Sequence, residues 1–172
     1  MAVTTTPAIA AQPVPSAVES VHTTVLGTMT STWTPAGLYS LRWEDCQRDR
    51  HGMGFCDGRA EDLDQRLHEY FATGHAAFDG VRLDEQGWTE FTKRVYQCCR
   101  EITPGTTNTY KELAHRAGNR AASRAVGAAM ARNRVLLVIP CHRVVSAGGK
   151  LRGFSAPGGL QTKQFLLDLE SQ

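Results

Sequence analysis

Residues 88–131 are punctuated as three helices in close succession. Trp88, Phe91, Val95, Cys98/Cys99 and Ile102 recur every three to four residues, the spacing of one amphipathic helix, and Pro104-Gly105 ends it. Thr109-Tyr110-Lys111-Glu112 then has the form of a capping box. The Thr109 hydroxyl accepts from an orphan backbone N–H of the first turn while Glu112 reaches back. A short helix is expected from there to about Gly118, with Asn119 as the cap of a second helix over residues 120–131. Short helix, tight turn and second helix make a helix-turn-helix pattern. In the second helix Ala122, Val126 and Met130 share one inward stripe, leaving Arg124, Gly127, Ala128 and Ala131 on the rest of the surface. Such an Ala/Gly face either lets the helix approach another surface closely or packs inside the protein, where Ala and Gly are often found.

The first half reads differently. Residues 22–45 are dominated by Thr, Val, Trp, Leu and Tyr and broken at Pro35-Ala36-Gly37, which predicts two strands joined by a turn. Residues 46–60 read as a loop. Residues 61–73 read as a helix, with Leu63, Leu67, Tyr70 and Phe71 at helical spacing and Gly74 as its stop. A connection over residues 75–87, with a short strand near 78–83, is the expected boundary. The expected organisation is therefore a flexible tail over 1–20, a small α/β domain over 21–85 and a mainly α domain over 86–172. The tail is rich in Pro, Ala, Thr and Ser, carries no Lys or Arg, and does not read as a secretory signal. No apolar run approaches the roughly 18 residues of a membrane span.

Charge is segregated between the halves. Residues 1–85 hold 6 Lys/Arg against 12 Asp/Glu, and residues 86–172 hold 13 against 5, beneath a net charge of only +2. A basic half is the footprint of a polyanion such as nucleic acid, and equally of a solubilising surface. The 5 cysteines are an odd number at irregular spacing, which is a poor disulfide framework and points to a reducing, cytoplasmic setting.

Within the basic half, RVLLVIPCHRVV over residues 134–145 delivers an apolar run to Pro140, then Cys141, His142 and Arg143. A lone Cys is commonly a buried packing residue. Here a Pro that interrupts pairing predicts a turn, and an imidazole and a guanidinium beside the thiol predict a lowered pKa and a nucleophile. Neighbours in sequence need not face each other, so both readings of Cys141 stand on spacing alone.

The hexapeptide Ile139-Pro140-Cys141-His142-Arg143-Val144 resembles the active-site signature of the O6-alkylguanine-DNA alkyltransferases. The similarity runs over residues 88–170. It takes in Arg124-Ala125-Val126-Gly127, then Asn133, then Gly153-Phe154-Ser155, then Gly158-Gly159-Leu160 before a final helix. The first half matches only loosely, through Gly37-Leu38 and Tyr70-Phe71. The resemblance implies a ribonuclease H-like N-terminal α/β domain, with a small sheet and a helix, followed by a winged helix-turn-helix-like domain that binds DNA and accepts the alkyl group.

It also implies roles. Cys141 would be nucleophile and acceptor, His142 would take the thiol proton through a water, and Glu170 would orient His142, as in a triad with a thiol for a hydroxyl. Asp168 is the rival to Glu170. Asn133 would be the hinge between recognition helix and active-site turn. Tyr110 would contact the extruded base, and Arg124 would fill the space it leaves in the stack. Thr92, Lys111 and Asn119 match positions that touch DNA, and the face containing Ala125, Gly127 and Ala128 would suit the minor groove. Phe154 and Ser155 would line the base pocket. The partner would be double-stranded DNA containing O6-alkylguanine (O4-alkylthymine as a further substrate), bound by a monomer without cofactor.

Three departures from the family pattern stand out, of which the first two bear on substrate range. Phe154 stands where many relatives have tyrosine, Ala156-Pro157 lengthens the pocket loop, and Ile102-Thr103-Pro104-Gly105 is shorter than in some relatives. Some relatives bind zinc in the first domain. Here Cys46, His51 and Cys56 offer three ligands without an evident fourth, so no metal is expected. Cys98 and Cys99 read as packing residues. The alternatives are a lesion-binding protein that does not transfer the group, against which Cys141 argues, and a helix-turn-helix regulator, which leaves Cys141, His142 and Glu170 without a task.

Overall fold

The structure, a computed structural model, describes residues 17–44 and 57–172. Its first element is an antiparallel sheet in the order β1 (Val18–Thr24), β2 (Gly27–Thr34) and β3 (Gly37–Trp43). The turn at Pro35-Ala36 falls where the sequence places it, with Thr34 opposite Gly37. A side chain at Gly37 would collide with the backbone of Arg82 and Leu83. The sheet has three strands, not the two expected: β1 begins at Val18, inside the segment read as tail. Its sequence, VESVHTT, lacks an apolar alternation. What buries it is tertiary, because His22 hydrogen-bonds Ser31 on β2 and Asp64 on α1.

Helix α1 (Gly58–Thr73) covers one face of this sheet, capped by the Asp57 side chain and closed by Gly74 in the left-handed conformation. Its buried residues Leu63, Leu67 and Tyr70 meet the core that also holds Met29, Trp33, Leu38 and Leu41. The strand expected near residues 78–83 is a single bridge from Leu83 to Leu38. Cys46, His51 and Cys56 lie outside the described residues. Among the described residues, no group of three His, Cys, Asp or Glu is placed to hold a metal, and no helix is long and apolar enough to cross a membrane.

Helix α2 (Glu90–Arg100) starts at its Thr89 cap, so Trp88 precedes it and packs edge-on against Tyr96. Strand β4 (Asn108–Thr109) leads into α3 (Tyr110–Arg116), whose capping box between Thr109 and Glu112 is present in full. Helix α4 (Ser123–Ala131) begins later than expected, and Asn119 does not cap it. The Asn119 side chain accepts from the Ala121 N–H and so shapes the turn, while Ala122 occupies the cap without a side-chain bond. Val126, Ala129 and Met130 face inward. Strand β5 (Val144–Val145) pairs in parallel with β4, and α5 (Leu160–Glu170) closes the chain.

The two halves are joined through backbone. Leu41 of β3 donates to Arg134 O at 2.8 Å and accepts from Leu136 N at 2.9 Å, so the segment leading to Cys141 extends the sheet edge.

Candidate active site

The turn that presents Cys141 is built by a short, strained piece of chain. Val138 N and Ile139 N donate back to Leu136 O and Val135 O, and Leu137 between them has φ 67°. A left-handed leucine costs about 1 kcal/mol or more, so the surroundings must hold it. Asn133 contributes: its Nδ2 donates to Ile139 O and its Oδ1 accepts from Val135 N, each at 2.9 Å. Pro140 has no N–H to continue pairing, and Cys141–Arg143 follow as one tight 3-10 turn. The side chain of Asn133 therefore bridges both ends of the loop that delivers the cysteine.

Cys141 is 7% exposed, at the floor of a cleft of about 640 Å³. Tyr110, Arg124, Gly127, Phe154 and Ser155 line the cleft with it, as do Ser123, Met130, Ala131, Arg152 and Gly153. His142 is buried, with Nε2 2.7 Å from Glu170 Oε1. Among the described residues its Nδ1 has no protein partner. Asp168, the rival carboxylate, is exposed and bonds Gln164. Phe154 lies edge-on to the His142 ring, with centroids 6.4 Å apart.

The electrostatics differ from expectation at the thiol. Burial dominates and raises the Cys141 pKa; the Asn133 side chain, the Lys163 ammonium and the backbone N–H groups of Cys141 and His142 oppose it. Arg143 does not serve the thiol. Its guanidinium turns to Glu170, with Nη2 2.9 Å from Oε1 and Nε 3.0 Å from Oε2, while Nη1 donates to Ile102 O at 2.5 Å. Burial alone would raise the Glu170 pKa, but hydrogen bonds from His142 and Arg143 outweigh it and hold the carboxyl at about 2. Burial lowers the His142 pKa against the pull of Glu170. Since a carboxylate only accepts, His142 Nε2 carries the proton and Nδ1 is the basic nitrogen.

The remaining expected residues fall outside the cleft. Thr92 sits in the first turn of α2, its hydroxyl 3.0 Å from that of Thr89. Lys111 is exposed on α3 and Asn119 is exposed in the turn before α4. Ala125 is exposed and Ala128 half-buried on α4, beside the lining residue Gly127. Ala156 is buried, and the Pro157 carbonyl accepts from the Thr162 hydroxyl, so that insertion anchors α5 and does not line the cleft.

Ser123 in the cleft lining was not read from the sequence, and neither were three residues that bear on the site more closely. Lys163 is buried, donating to Val144 O at 2.6 Å and Arg152 O at 3.2 Å, which ties α5 to both ends of the pocket loop. Its signal was legible: Lys163, Leu166 and Glu170 fall on one buried stripe, and charges on an inward stripe demand partners. Arg152, exposed on the cleft wall, is separated from the helix-turn-helix in sequence and carried no local signal. Tyr70 read as an ordinary helix residue, yet its hydroxyl donates to Glu170 Oε1 at 2.7 Å, across 100 residues of chain.

The family model described as 6-O-methylguanine DNA methyltransferase, DNA binding domain, matches residues 90–172. The methylated-DNA–protein-cysteine methyltransferase of Methanosarcina acetivorans is 48% identical over 106 residues, 62% of this chain and 65% of that one. That of Mycolicibacterium paratuberculosis is 44% identical over 106 residues, 62% of each chain. The matched stretch thus spans just under two thirds of these curated relatives. Over nearly the whole chain, the crystal structure of Mycobacterium tuberculosis O6-methylguanine methyltransferase superposes with a TM-score of 0.73 at 32% identity, covering 90% of this chain and 93% of that one. The M. tuberculosis protein in complex with DNA gives 0.72 at 32% identity, covering 89% and 92%.

Proposed function

Because this chain belongs to the O6-alkylguanine-DNA alkyltransferase family, we propose that it repairs DNA by moving an alkyl group from guanine O6 onto its own Cys141, and is consumed in the act. The observation that carries this reading is Cys141 at the floor of an open cleft, followed directly in the chain by His142, whose imidazole is bonded to the buried Glu170. The thiol proton passes through a water to His142 Nδ1. The thiolate attacks the alkyl carbon, the S–C bond forms as the C–O6 bond breaks, and the electron pair stays on the guanine. The proton on the imidazolium returns to the departing base, so atoms and charge balance without a cofactor. Burial raises the thiol pKa, so a proton acceptor in reach is needed for ionisation.

A stacked guanine does not offer its O6 substituent to a protein thiolate, so the nucleotide rotates out, at a few kcal/mol. Arg124 on the cleft rim fills the space left behind, Tyr110 meets the base, and Phe154 and Ser155 line the pocket, with the Ser155 hydroxyl toward O6. Helices α3 and α4 act as the helix-turn-helix, with residues 146–155 as its wing, and the Gly127 face of α4 enters the minor groove. Thr92, Lys111, Asn119, Ala125 and Ala128 then lie along the DNA. The sheet and α1 form the ribonuclease H-like domain, which starts with β1 at Val18 and runs to about residue 85, and residues 86–172 form the DNA-binding domain. The protein works as a cytoplasmic monomer on double-stranded DNA.

Intact mass after incubation with O6-methylguanine DNA tests the reading. The wild type gains one methyl group, and Cys141→Ala gains none while still binding the lesion. An unchanged wild-type mass with lesion binding retained assigns the protein as a lesion sensor instead. A methyl group on the Cys141→Ala variant identifies a different acceptor.

A further inference from the structure

We infer that Tyr70, on the sheet-covering helix α1, is a positioning residue of the reaction: its hydroxyl holds the Glu170 carboxylate in the orientation that aligns His142. The inference rests on the alkyl-transfer reading above. Tyr70 OH donates to Glu170 Oε1 at 2.7 Å, and the same oxygen accepts from His142 Nε2 at 2.7 Å. The Tyr70 oxygen itself lies 3.4 Å from that Nε2. The ring is 1% exposed and wedged by Phe71 and Phe78, at centroid distances of 5.3 and 5.9 Å. Phenylalanine would fill the same space, so packing does not require the hydroxyl. Its hydrogen bond to Glu170 does.

Among the described residues, the charged groups acting on the imidazole are Glu170 and Lys163 from α5 and Arg143 from the turn after Cys141, and Tyr70 is the neutral donor from α1. Arg143 pulls the carboxylate toward itself through both oxygens. Tyr70 approaches Oε1 from the other half of the chain and opposes a swing toward Arg143. It also takes up part of the Oε1 charge that His142 and Arg143 would otherwise share between them. Without it, the imidazolium is better stabilised by Glu170 but the imidazole is less well aimed. The first half of the chain thereby sets the reactivity of a cysteine in the second.

The test is single-turnover methyl transfer from O6-methylguanine DNA, followed across the pH range in which imidazoles titrate. The proteins compared are the wild type, Tyr70→Phe, Glu170→Gln and the double variant. Tyr70→Phe should bind lesion DNA as the wild type does, transfer about tenfold more slowly at the plateau, and show its rising limb displaced to higher pH by about half a unit. In the Glu170→Gln background Tyr70→Phe should add nothing, because its effect passes through that carboxylate. Fluorotyrosine at position 70, a stronger donor of the same shape, should move the limb to lower pH, and it tests the idea even if Tyr70→Phe folds poorly. A wild-type rate and profile for Tyr70→Phe, an equal penalty in both backgrounds, or an unmoved limb with fluorotyrosine overturns the inference. Failure of the wild type to gain a methyl group overturns the transfer reading instead, so the two failures are distinct.

Discussion

At Glu170 one buried carboxylate accepts from His142, Tyr70 and Arg143, and the Gly105 N–H approaches its second oxygen at 3.4 Å. Such a group links stability to pH. Its folded pKa is depressed from 4.5 to about 2, so its contribution is complete above 4.5 and is lost as pH falls through 2. His142 acts with the same sign. Its folded pKa lies below 6.5, so the unfolded chain takes up the proton first on acidification. The folded state should therefore weaken steadily below neutral pH. Denaturant midpoints measured down the acid limb should fall more steeply for the wild type than for Glu170→Gln. Equal slopes would show that this carboxylate is not held ionised by its neighbours. None of this follows from a lone Glu near a chain end, which by sequence alone is a solvated helix carboxylate.

Among the elements, α1 and α5 meet where their ends bear on the site. Gly74 closes α1 at φ 74°, and a side chain there would collide with the Leu169 carbonyl, next to Glu170. Gly74→Ala should thus cost more than about 1 kcal/mol, both from the left-handed backbone and from displacement of α5. Thermal unfolding would register the loss, and the transfer rate should fall with it because Glu170 moves. Helices α1, α2 and α3 were legible because their signals are local: an apolar stripe, the Thr109–Glu112 box and the Gly74 stop. The start of α4 was not. Asn119 has the right chemistry for a cap, but its side chain bonds two residues on and shapes the turn, and only the packing of Val126, Ala129 and Met130 decides where the helix begins. Strand β1 was missed for a related reason, since its buried His22 is satisfied by Ser31 and Asp64, which lie far along the chain.

Across the whole molecule, Arg134 joins the halves. Its Nε donates to Tyr39 O at 2.7 Å, its Nη2 to Asp84 O at 2.8 Å and Gln86 O at 2.9 Å, and its guanidinium stacks over Tyr39 and Trp88. Arg134→Ala leaves three carbonyls without this donor and should cost about 2–4 kcal/mol. Amide exchange should accelerate together in β3 and in residues 134–139, and acceleration confined to one side would show that the halves are not coupled here. That Cys141, His142, Asn133 and Glu170 belong to one site could be proposed in advance, because the hexapeptide is distinctive and the segments around it keep their order and spacing; the structure places Cys141 in the cleft, bonds His142 to Glu170, and ties Asn133 across the turn. The basic character of the second half was equally legible. Folding alone decided that Arg143 faces Glu170 and not the thiol, that Lys163 is sealed beneath the pocket loop, and that Tyr70 reaches the same carboxylate from 100 residues away. The reason is physical: local sequence sets backbone preference and reactive groups, whereas the partner of a buried charge depends on which distant segments the core brings within hydrogen-bonding distance.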